Sequence, residues 1–150
     1  MKLFSPDLIK LNYYALDKKS CLTEMVEFLY EKEIVLIPEK FLNEILEREK
    51  LMSTGIGRKI AIPHARSLAV KELKIGVYLL DNELDFNSID GEPVKIIFMI
   101  AVPEMMKDEY MKVLSSISNF FRNEENRKRL LTCSSPEEVY ELLKGISDEI

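Results

Sequence analysis

The apolar run Ile96–Val102 constrains the fold of this chain more than any other feature of the sequence. It belongs to the segment Val94–Val102, which follows one proline and ends before another, so it has the length of a single strand. It is far shorter than the ~20 apolar residues that cross a bilayer as a helix. Successive side chains of a strand point to opposite faces, so both faces of this strand must be covered. The sequence therefore predicts an α/β fold in which helices cover a central sheet on two faces.

Apolar periodicity, capping residues and turn signals predict the other elements. Predicted strands occupy Lys59–Ile62 and Leu73–Leu80, with a turn at Asp81-Asn82. Five predicted helices run from Ser20, as N-cap, to about Glu31; from Pro38 onward; from Lys107 to Phe121; from Asn123 through Leu131; and from Ser135 to Gly145. The core stripe expected for the third of these helices is Met111, Leu114, Ile117 and Phe121. Because no linker or repeat interrupts the pattern, we expect one domain over residues 1–150.

Charge and cysteine content narrow the possible functions. The net charge of -5 argues against a nucleic-acid partner, which would require a basic face. Cys21 and Cys133 lie far apart, match no metal-ligand spacing and are expected to be buried thiols. Two distant cysteines and a single histidine do not supply the four ligands of a tetrahedral zinc site, so we expect neither a metal nor a cofactor. The chain opens without the long apolar core of a signal peptide, which favours a cytoplasmic location.

His64 is the only histidine in the chain, and its surroundings favour a chemical role. A histidine can be a neutral nucleophile or a cation near neutral pH. It follows a predicted strand and Pro63, and ligand sites of α/β sheets collect at strand ends. Arg58 and Arg66 flank it and are candidates for stabilising an anion or a phosphorylated imidazole. The alternative is a structural histidine held by a carbonyl or a carboxylate.

Gly55 and Gly57 precede this segment and are candidates, together with Arg58, for binding a phosphate through backbone N–H groups and positive charge. A flexible turn between a helix and a strand is an equally good interpretation of the two glycines. The pattern lacks the later glycines and the lysine-serine pair of the nucleotide-binding loops.

Segments Thr54–Gly57 and Ile60–His64 together resemble the active-site motif of the fructose/mannitol-type enzyme IIA domains of the bacterial phosphoenolpyruvate-dependent sugar phosphotransferase system. The segment Asp90–Phe98, continuing to Pro103, resembles a second part of the family. The stretch Leu46–Glu49 fits the family as well, so the resemblance covers essentially the whole chain. It implies a three-layer α/β/α sandwich with a central mixed sheet of about five strands.

The resemblance also implies a phosphotransferase chemistry centred on His64. Its Nε2 would accept a phosphoryl group from the histidine-containing phosphocarrier protein, while a backbone carbonyl holds Nδ1. The group would then pass to a cysteine of an enzyme IIB component, so the membrane would be involved only indirectly, through the IIB/IIC transporter. Arg48 matches a family arginine that lies beside the active histidine and stabilises charge.

Two positions depart from the family pattern. Tyr110 takes the place of the family's second histidine, and a phenol donates a hydrogen bond but carries no positive charge. Lys112 lies close to it in sequence. The family often has a glycine where this chain has Lys59, and we expect an ordinary β conformation there.

A site that serves protein partners must be shallow, so we expect exposed apolar residues around it. The candidates are Ile56, Ile62, Met105, Met106 and Met111. The leading hypothesis is a phosphohistidine carrier for sugar uptake. The alternatives are a regulatory module like the nitrogen-related enzyme IIA branch, switched by phosphorylation, and a binder that no longer carries phosphate. No residue of the sequence specifies the sugar.

Overall fold

The computed structural model describes residues 2–148 and contains a mixed six-stranded sheet between two layers of helices. A short 3-10 helix, Pro6–Leu8, precedes the first strand. The strands are β1 (Ile9–Tyr13), β2 (Gly55–Gly57), β3 (Ile60–Ala61), β4 (His64–Ser67), β5 (Lys74–Leu84) and β6 (Val94–Pro103). The helices are α1 (Lys18–Glu31), α2 (Pro38–Leu51), α3 (Lys107–Arg122), α4 (Glu124–Leu131) and α5 (Pro136–Asp148).

The strands are ordered β1-β5-β6-β3-β2, and β4 also pairs with β6. β5 and β6 are antiparallel, and β1 runs parallel to β5. β3 and β4 both run parallel to β6, with Ile60 opposite Ile96 and His64 opposite Ile100. β4 therefore continues the line of β3 along the same edge of β6, after the interruption at Ile62 and Pro63.

β6 has the environment predicted from its sequence. Ile97 and Met99 face the core beneath α1 and α2, whereas Ile96, Phe98 and Ile100 face the core beneath α3, α4 and α5. The alternation of a strand divides one apolar run between two cores. The prediction of a three-layer α/β/α sandwich is confirmed. Within residues 2–148, no helix is both long and apolar enough to cross a membrane.

The sheet has six strands rather than about five. β1 was absent from the strands predicted by pattern, because its side chains are only partly buried and Lys10 interrupts the apolar signal. The segment around Pro63 forms two short strands, since proline has no N–H to continue the ladder. The glycine segment pairs with β3 as the short strand β2 instead of remaining a loop.

Three predicted boundaries are wrong, two of them because a side chain bonds an unexpected partner. Asp17, not Ser20, caps α1, and its carboxylate accepts the Ser20 N–H at 2.7 Å. Asn82 lies within β5 rather than in a turn, because its amide group bonds the Ala15 backbone at both N–H and carbonyl. Gly145 does not end the last helix, which continues to Asp148.

The core stripe predicted for α3 is partly wrong. Met111 is 58% exposed, and Val113 is fully buried with Ile117 and Phe121. Leu114 is only partly buried against the same core. The helix is rotated toward the 113/117/121 side, since those residues pack against β6 from the α3 layer.

Candidate functional site

His64 lies at an edge of the sheet, where the two helical layers meet. It is the first residue of β4, whose described pairing is with β6 alone. α2 packs against β4, and Ser67 Oγ donates a hydrogen bond of 2.6 Å to Glu44 on that helix. Tyr110, in the first turn of α3, approaches the His64 ring from the other layer. The edge position leaves one side of the ring without a neighbouring strand.

The His64 imidazole is oriented by a single hydrogen bond. Its Nδ1 lies 2.7 Å from the carbonyl oxygen of Ile62. A carbonyl oxygen only accepts, so Nδ1 carries the proton and the neutral ring has its lone pair on Nε2. No group in the described part of the chain hydrogen-bonds Nε2. Only 6% of His64 is exposed, but Nε2 is not among the fully buried polar atoms that lack a partner, so it keeps some contact with solvent.

The pKa of His64 is lowered from its usual value. Burial is the largest cause, because it penalises the charged ring, and the nearby Arg48 guanidinium acts in the same direction. The hydrogen bond to the Ile62 carbonyl and the Glu49 carboxylate oppose these effects. The ring is consequently neutral near pH 7, which is the form a nucleophile requires.

The Arg48 guanidinium and the Tyr110 phenol lie beside the ring, whereas the charge of Arg66 acts on Tyr110. Arg48, near the end of α2, donates to the Met52 carbonyl oxygen at 2.8 Å, and its charge acts on both His64 and Tyr110. The His64 and Tyr110 ring centroids are 5.5 Å apart, with the planes inclined at 50°. Arg66 acts electrostatically on Tyr110 and donates to the carbonyl oxygen of Glu104 at 3.1 Å. Burial nevertheless raises the pKa of Tyr110, so its hydroxyl remains a donor.

Glu49 is a site residue that sequence reasoning did not single out. Its side chain is only 5% exposed, and it forms an ion pair of 2.9 Å with Lys18. It also accepts the Thr54 N–H at 3.1 Å and the Thr54 hydroxyl. The only signal in the sequence was its place beside Arg48 in the family-like stretch. Lys18, its counter-ion, is more than thirty residues away, and nothing in the sequence indicates that the two would pair.

The structure does not bring Arg58 and Gly57 next to His64. They lie at the turn of the β2–β3 hairpin, and the paired positions of Ile60 and His64 on β6 are four residues apart, or about 13 Å. The Arg58 N–H donates to the Asp90 carboxylate at 3.1 Å, so this group already has an anion from the chain itself. The geometry gives no support to a phosphate site there.

Gly55 is buried at the base of the same hairpin, and its N–H donates to Ser53 Oγ. The expectation of an ordinary β conformation at Lys59 is wrong. Both Arg58 and Lys59 have positive φ, at 58° and 68°, because the tight hairpin turn requires left-handed backbone.

The predicted apolar surface is present in part. Met105, Met111 and Ile56 are exposed, at 91%, 58% and 39%. Ile62 and Met106 were wrongly included: Ile62 is buried and Met106 half-buried, because both pack into the core beneath α3. Other large apolar side chains, not predicted, are exposed on the elements that carry or flank the site: Leu51, Met52, Leu68 and Ile89.

The site thus combines a neutral imidazole nitrogen, a guanidinium and a phenol at the edge of the sheet. Open grooves among α3, α4 and α5 contain none of these side chains. Within residues 2–148, no three histidine, cysteine, aspartate or glutamate side chains converge in a way that would hold a metal ion. The arrangement is suited to placing an anionic group on Nε2 beside positive charge.

Comparison with known proteins places this geometry in a family. Over residues 2–146 the chain matches the family model described as "Phosphoenolpyruvate-dependent sugar phosphotransferase system, EIIA 2". It is 33% identical over 142 residues to the PTS system fructose-specific EIIABC component of Bacillus subtilis. That match covers 95% of this chain but only 22% of the relative, so the chain spans about a fifth of that protein.

Solved structures agree with the match. The nitrogen regulatory protein IIA-Ntr of Neisseria meningitidis superposes with a TM-score of 0.87 at 34% identity, covering 93% of this chain and 94% of that one. The complex of enzyme IIA-Mtl with phosphorylated enzyme IIB-Mtl of Escherichia coli contains a chain with a TM-score of 0.80 at 25% identity, covering 95% of this chain and 97% of that one. This chain therefore belongs to the type 2 EIIA family of the phosphoenolpyruvate-dependent sugar phosphotransferase system.

Proposed function

We propose that the protein is a phosphohistidine carrier in which His64 accepts a phosphoryl group from the histidine-containing phosphocarrier protein and passes it to a cysteine of an enzyme IIB component during sugar uptake. The observation that carries the proposal is the bond from His64 Nδ1 to the Ile62 carbonyl oxygen. It leaves the Nε2 lone pair without a hydrogen-bond partner among the described residues. Membership of the EIIA type 2 family supports phosphoryl transfer as the reaction class.

The transfer balances without an external acid or base. Nε2 of His64 attacks the phosphorus of the donor's phosphohistidine, the new Nε2–P bond forms, and the donor's N–P bond breaks. The ring keeps its Nδ1 proton and becomes a phosphorylated cation, whose N–H still donates to the Ile62 carbonyl. A thiolate of the acceptor then attacks phosphorus, the Nε2–P bond breaks, and His64 returns to the neutral form.

Arg48 and Tyr110 would support the phosphorylated state. The Arg48 guanidinium disfavours a protonated ring before transfer and attracts the phosphoryl oxygens after it. Tyr110 Oη is a candidate donor to one of those oxygens, in the place where the family has a second histidine. The exposed side chains of Met105, Met111 and Met52 offer an adaptable apolar surface to protein partners. The similarity to the IIA-Mtl chain that was solved together with phosphorylated enzyme IIB-Mtl supports an enzyme IIB partner.

A second candidate function is regulatory. The similarity to a structure named nitrogen regulatory protein IIA-Ntr, at 34% identity, favours a module whose binding to a kinase or transporter is switched by phosphorylation of His64. The chemistry at the ring would be the same in both cases. The two candidates differ in what receives the signal: a IIB cysteine in transport, or a bound regulatory target.

One experiment tests the proposal. The protein is incubated with phosphoenolpyruvate, enzyme I and the phosphocarrier protein, and intact mass is measured. We expect one added phosphoryl group, which acid or hydroxylamine removes and which His64→Ala abolishes. Absence of the added mass with a competent phosphocarrier would contradict phosphoryl transfer and favour the binder that no longer carries phosphate. Passage of the label to a IIB cysteine would favour transport over regulation.

A further inference from the structure

Glu49 is a buried carboxylate that is paired and hydrogen-bonded by groups of this chain. Burial of an unpaired charge is costly, so a carboxylate with a 5% exposed side chain must be paired and hydrogen-bonded. Glu49 meets this requirement with the Lys18 ammonium at 2.9 Å and two donors of Thr54, the N–H at 3.1 Å and the hydroxyl. Lys18 is held in turn by the Phe86 carbonyl oxygen at 3.1 Å. The carboxylate therefore connects the start of α1, the end of α2 and the segment leading into β2.

A continuous series of hydrogen bonds leads from this carboxylate to the His64 ring. Thr54, fixed by Glu49, accepts the Ile62 N–H on its carbonyl oxygen at 3.0 Å. Ile62 in turn accepts His64 Nδ1–H on its own carbonyl oxygen at 2.7 Å. Pro63, between Ile62 and His64, has a restricted φ, so this part of the backbone is stiff. A displacement of Thr54 is therefore passed to the atom that orients the imidazole.

Arg48, the neighbour of Glu49, also bonds the segment between α2 and β2, but at a more exposed position. Its guanidinium donates to the carbonyl oxygen of Met52, a residue that is 61% exposed. Among the described side chains, Glu49 alone hydrogen-bonds Thr54, through the Thr54 N–H and hydroxyl. The charged and titratable groups that act on the ring from its neighbours are Arg48 and Glu49 on α2 and the uncharged Tyr110 on α3.

We infer that Glu49 is a positioning residue for the histidine: held by Lys18, it fixes Thr54 and, through the Ile62 carbonyl, the tautomer and direction of the His64 ring. The catalytic consequence rests on the proposed function, whereas the orientation of the ring does not. Small misplacements of a reacting group reduce rates steeply, so loss of this fastening should slow phosphoryl acceptance by about tenfold or more.

His64 is the only histidine in the chain, so the NMR signals of its ring nitrogens need no further assignment. Long-range proton–nitrogen spectra of the whole protein at about pH 8, above the ordinary histidine pKa, report the tautomer. We expect one Nδ1–H tautomer in the parent protein, and loss of it to a mixture of tautomers in Glu49→Gln. The matched control is Glu47→Gln on the same helix, whose side chain is 71% exposed, and it should resemble the parent.

If Glu49→Gln does not fold, the double variant Lys18→Met/Glu49→Gln removes both charges and leaves no unpaired ion. Two further variants test the Thr54 hydroxyl independently. Thr54→Val removes the hydroxyl and should lose the single tautomer, whereas Thr54→Ser keeps it and should retain the tautomer. Ring signals identical to the parent in a folded Glu49 variant overturn the inference. A parent protein that shows the single tautomer but accepts no phosphoryl group would contradict the proposed function while leaving the positioning role intact.

Discussion

The Nδ1 atom of His64 lies 2.7 Å from the carbonyl oxygen of Ile62, two residues earlier in the chain. The intervening Pro63 has no N–H and interrupts the strand, while its own carbonyl accepts the Ile100 N–H at 2.9 Å. At this break the Ile62 carbonyl accepts the ring N–H. A local interruption of the edge strand thereby orients the nucleophile.

The lowered pKa of His64 predicts the pH dependence of phosphoryl acceptance. Because the pKa of the folded ring lies below the ordinary histidine value of about 6.5, the initial rate at pH 6.5 should keep more than half of its value at about pH 7.5. It should fall below half only at lower pH, where most of the ring is charged. Initial rates measured at a saturating donor concentration check this. A reference acceptor measured in parallel corrects for the pH dependence of the donor itself. A rate that has already halved near pH 6.5 would contradict the prediction.

The same shift predicts a pH dependence of stability. The unfolded ring binds a proton at its ordinary pKa, whereas the folded ring binds it only at lower pH. Between the two pKa values the unfolded state holds more protons, so the contribution of His64 to the free energy of unfolding is complete above about pH 6.5. It is lost as the pH falls from there through the lower pKa of the folded ring. Urea denaturation of the parent and of His64→Gln at several pH values isolates the contribution, which should be absent in the variant.

Tyr110 should contribute a hydrogen bond rather than only a ring. Tyr110→Phe preserves the contact with His64 but removes the hydroxyl, and a hydrogen bond to a charged group contributes about 1.5–3 kcal/mol. We expect phosphoryl transfer to slow about tenfold or more, and Tyr110→His to restore it. Tyr140→Phe, at a half-buried tyrosine of α5, is the control and should leave the rate unchanged. An unaffected rate in Tyr110→Phe would show that the hydroxyl has no part in the reaction.

The hairpin turn stores strain at Lys59. A non-glycine residue at φ 68° costs about 1–2 kcal/mol, and glycine relieves this at an entropic cost of about 0.5–1 kcal/mol. Lys59→Gly should therefore stabilise the fold by about 0.5–1 kcal/mol in chemical denaturation. Lys59→Ala loses the same exposed ion pair with Glu83 but keeps the strained backbone, so it should not stabilise. Equal stabilities of the two variants would exclude strain as the cause.

Gly55 has a steric role in the structure. A Cβ added there would lie 2.3 Å from Ser88 Oγ and 3.0 Å from Ser88 Cα, so the backbone itself must move. Gly55→Ala should destabilise by about 1–3 kcal/mol. Gly145→Ala is the contrasting control, since a Cβ meets nothing within 4 Å there and the residue lies inside α5. It should stabilise by about 0.5–1 kcal/mol. Thermal or urea unfolding measures both.

The features that sequence reasoning predicted correctly are those in which a local pattern determines the outcome. The apolar run of β6 required two covered faces, and the structure divides it between two cores. Some of its errors arose where a side chain has a partner far along the chain. Asn82 resembled a turn residue until its bonds to Ala15 placed it in a strand. Arg58 lies close to His64 in sequence, but the turn of the β2–β3 hairpin places it away from the ring.

The amino-acid order alone determined the three-layer architecture and singled out His64, because alternation, periodicity and a unique titratable residue can be read within short segments. The tertiary structure alone decided the electrostatics around that ring. Glu49 acquires its importance only when α1 supplies Lys18. Tyr110 was already a candidate from the family resemblance, but its contact with the ring depends on where α3 packs. The physical reason is that desolvation and charge pairing depend on distance in space, which the spacing of residues along the chain does not encode.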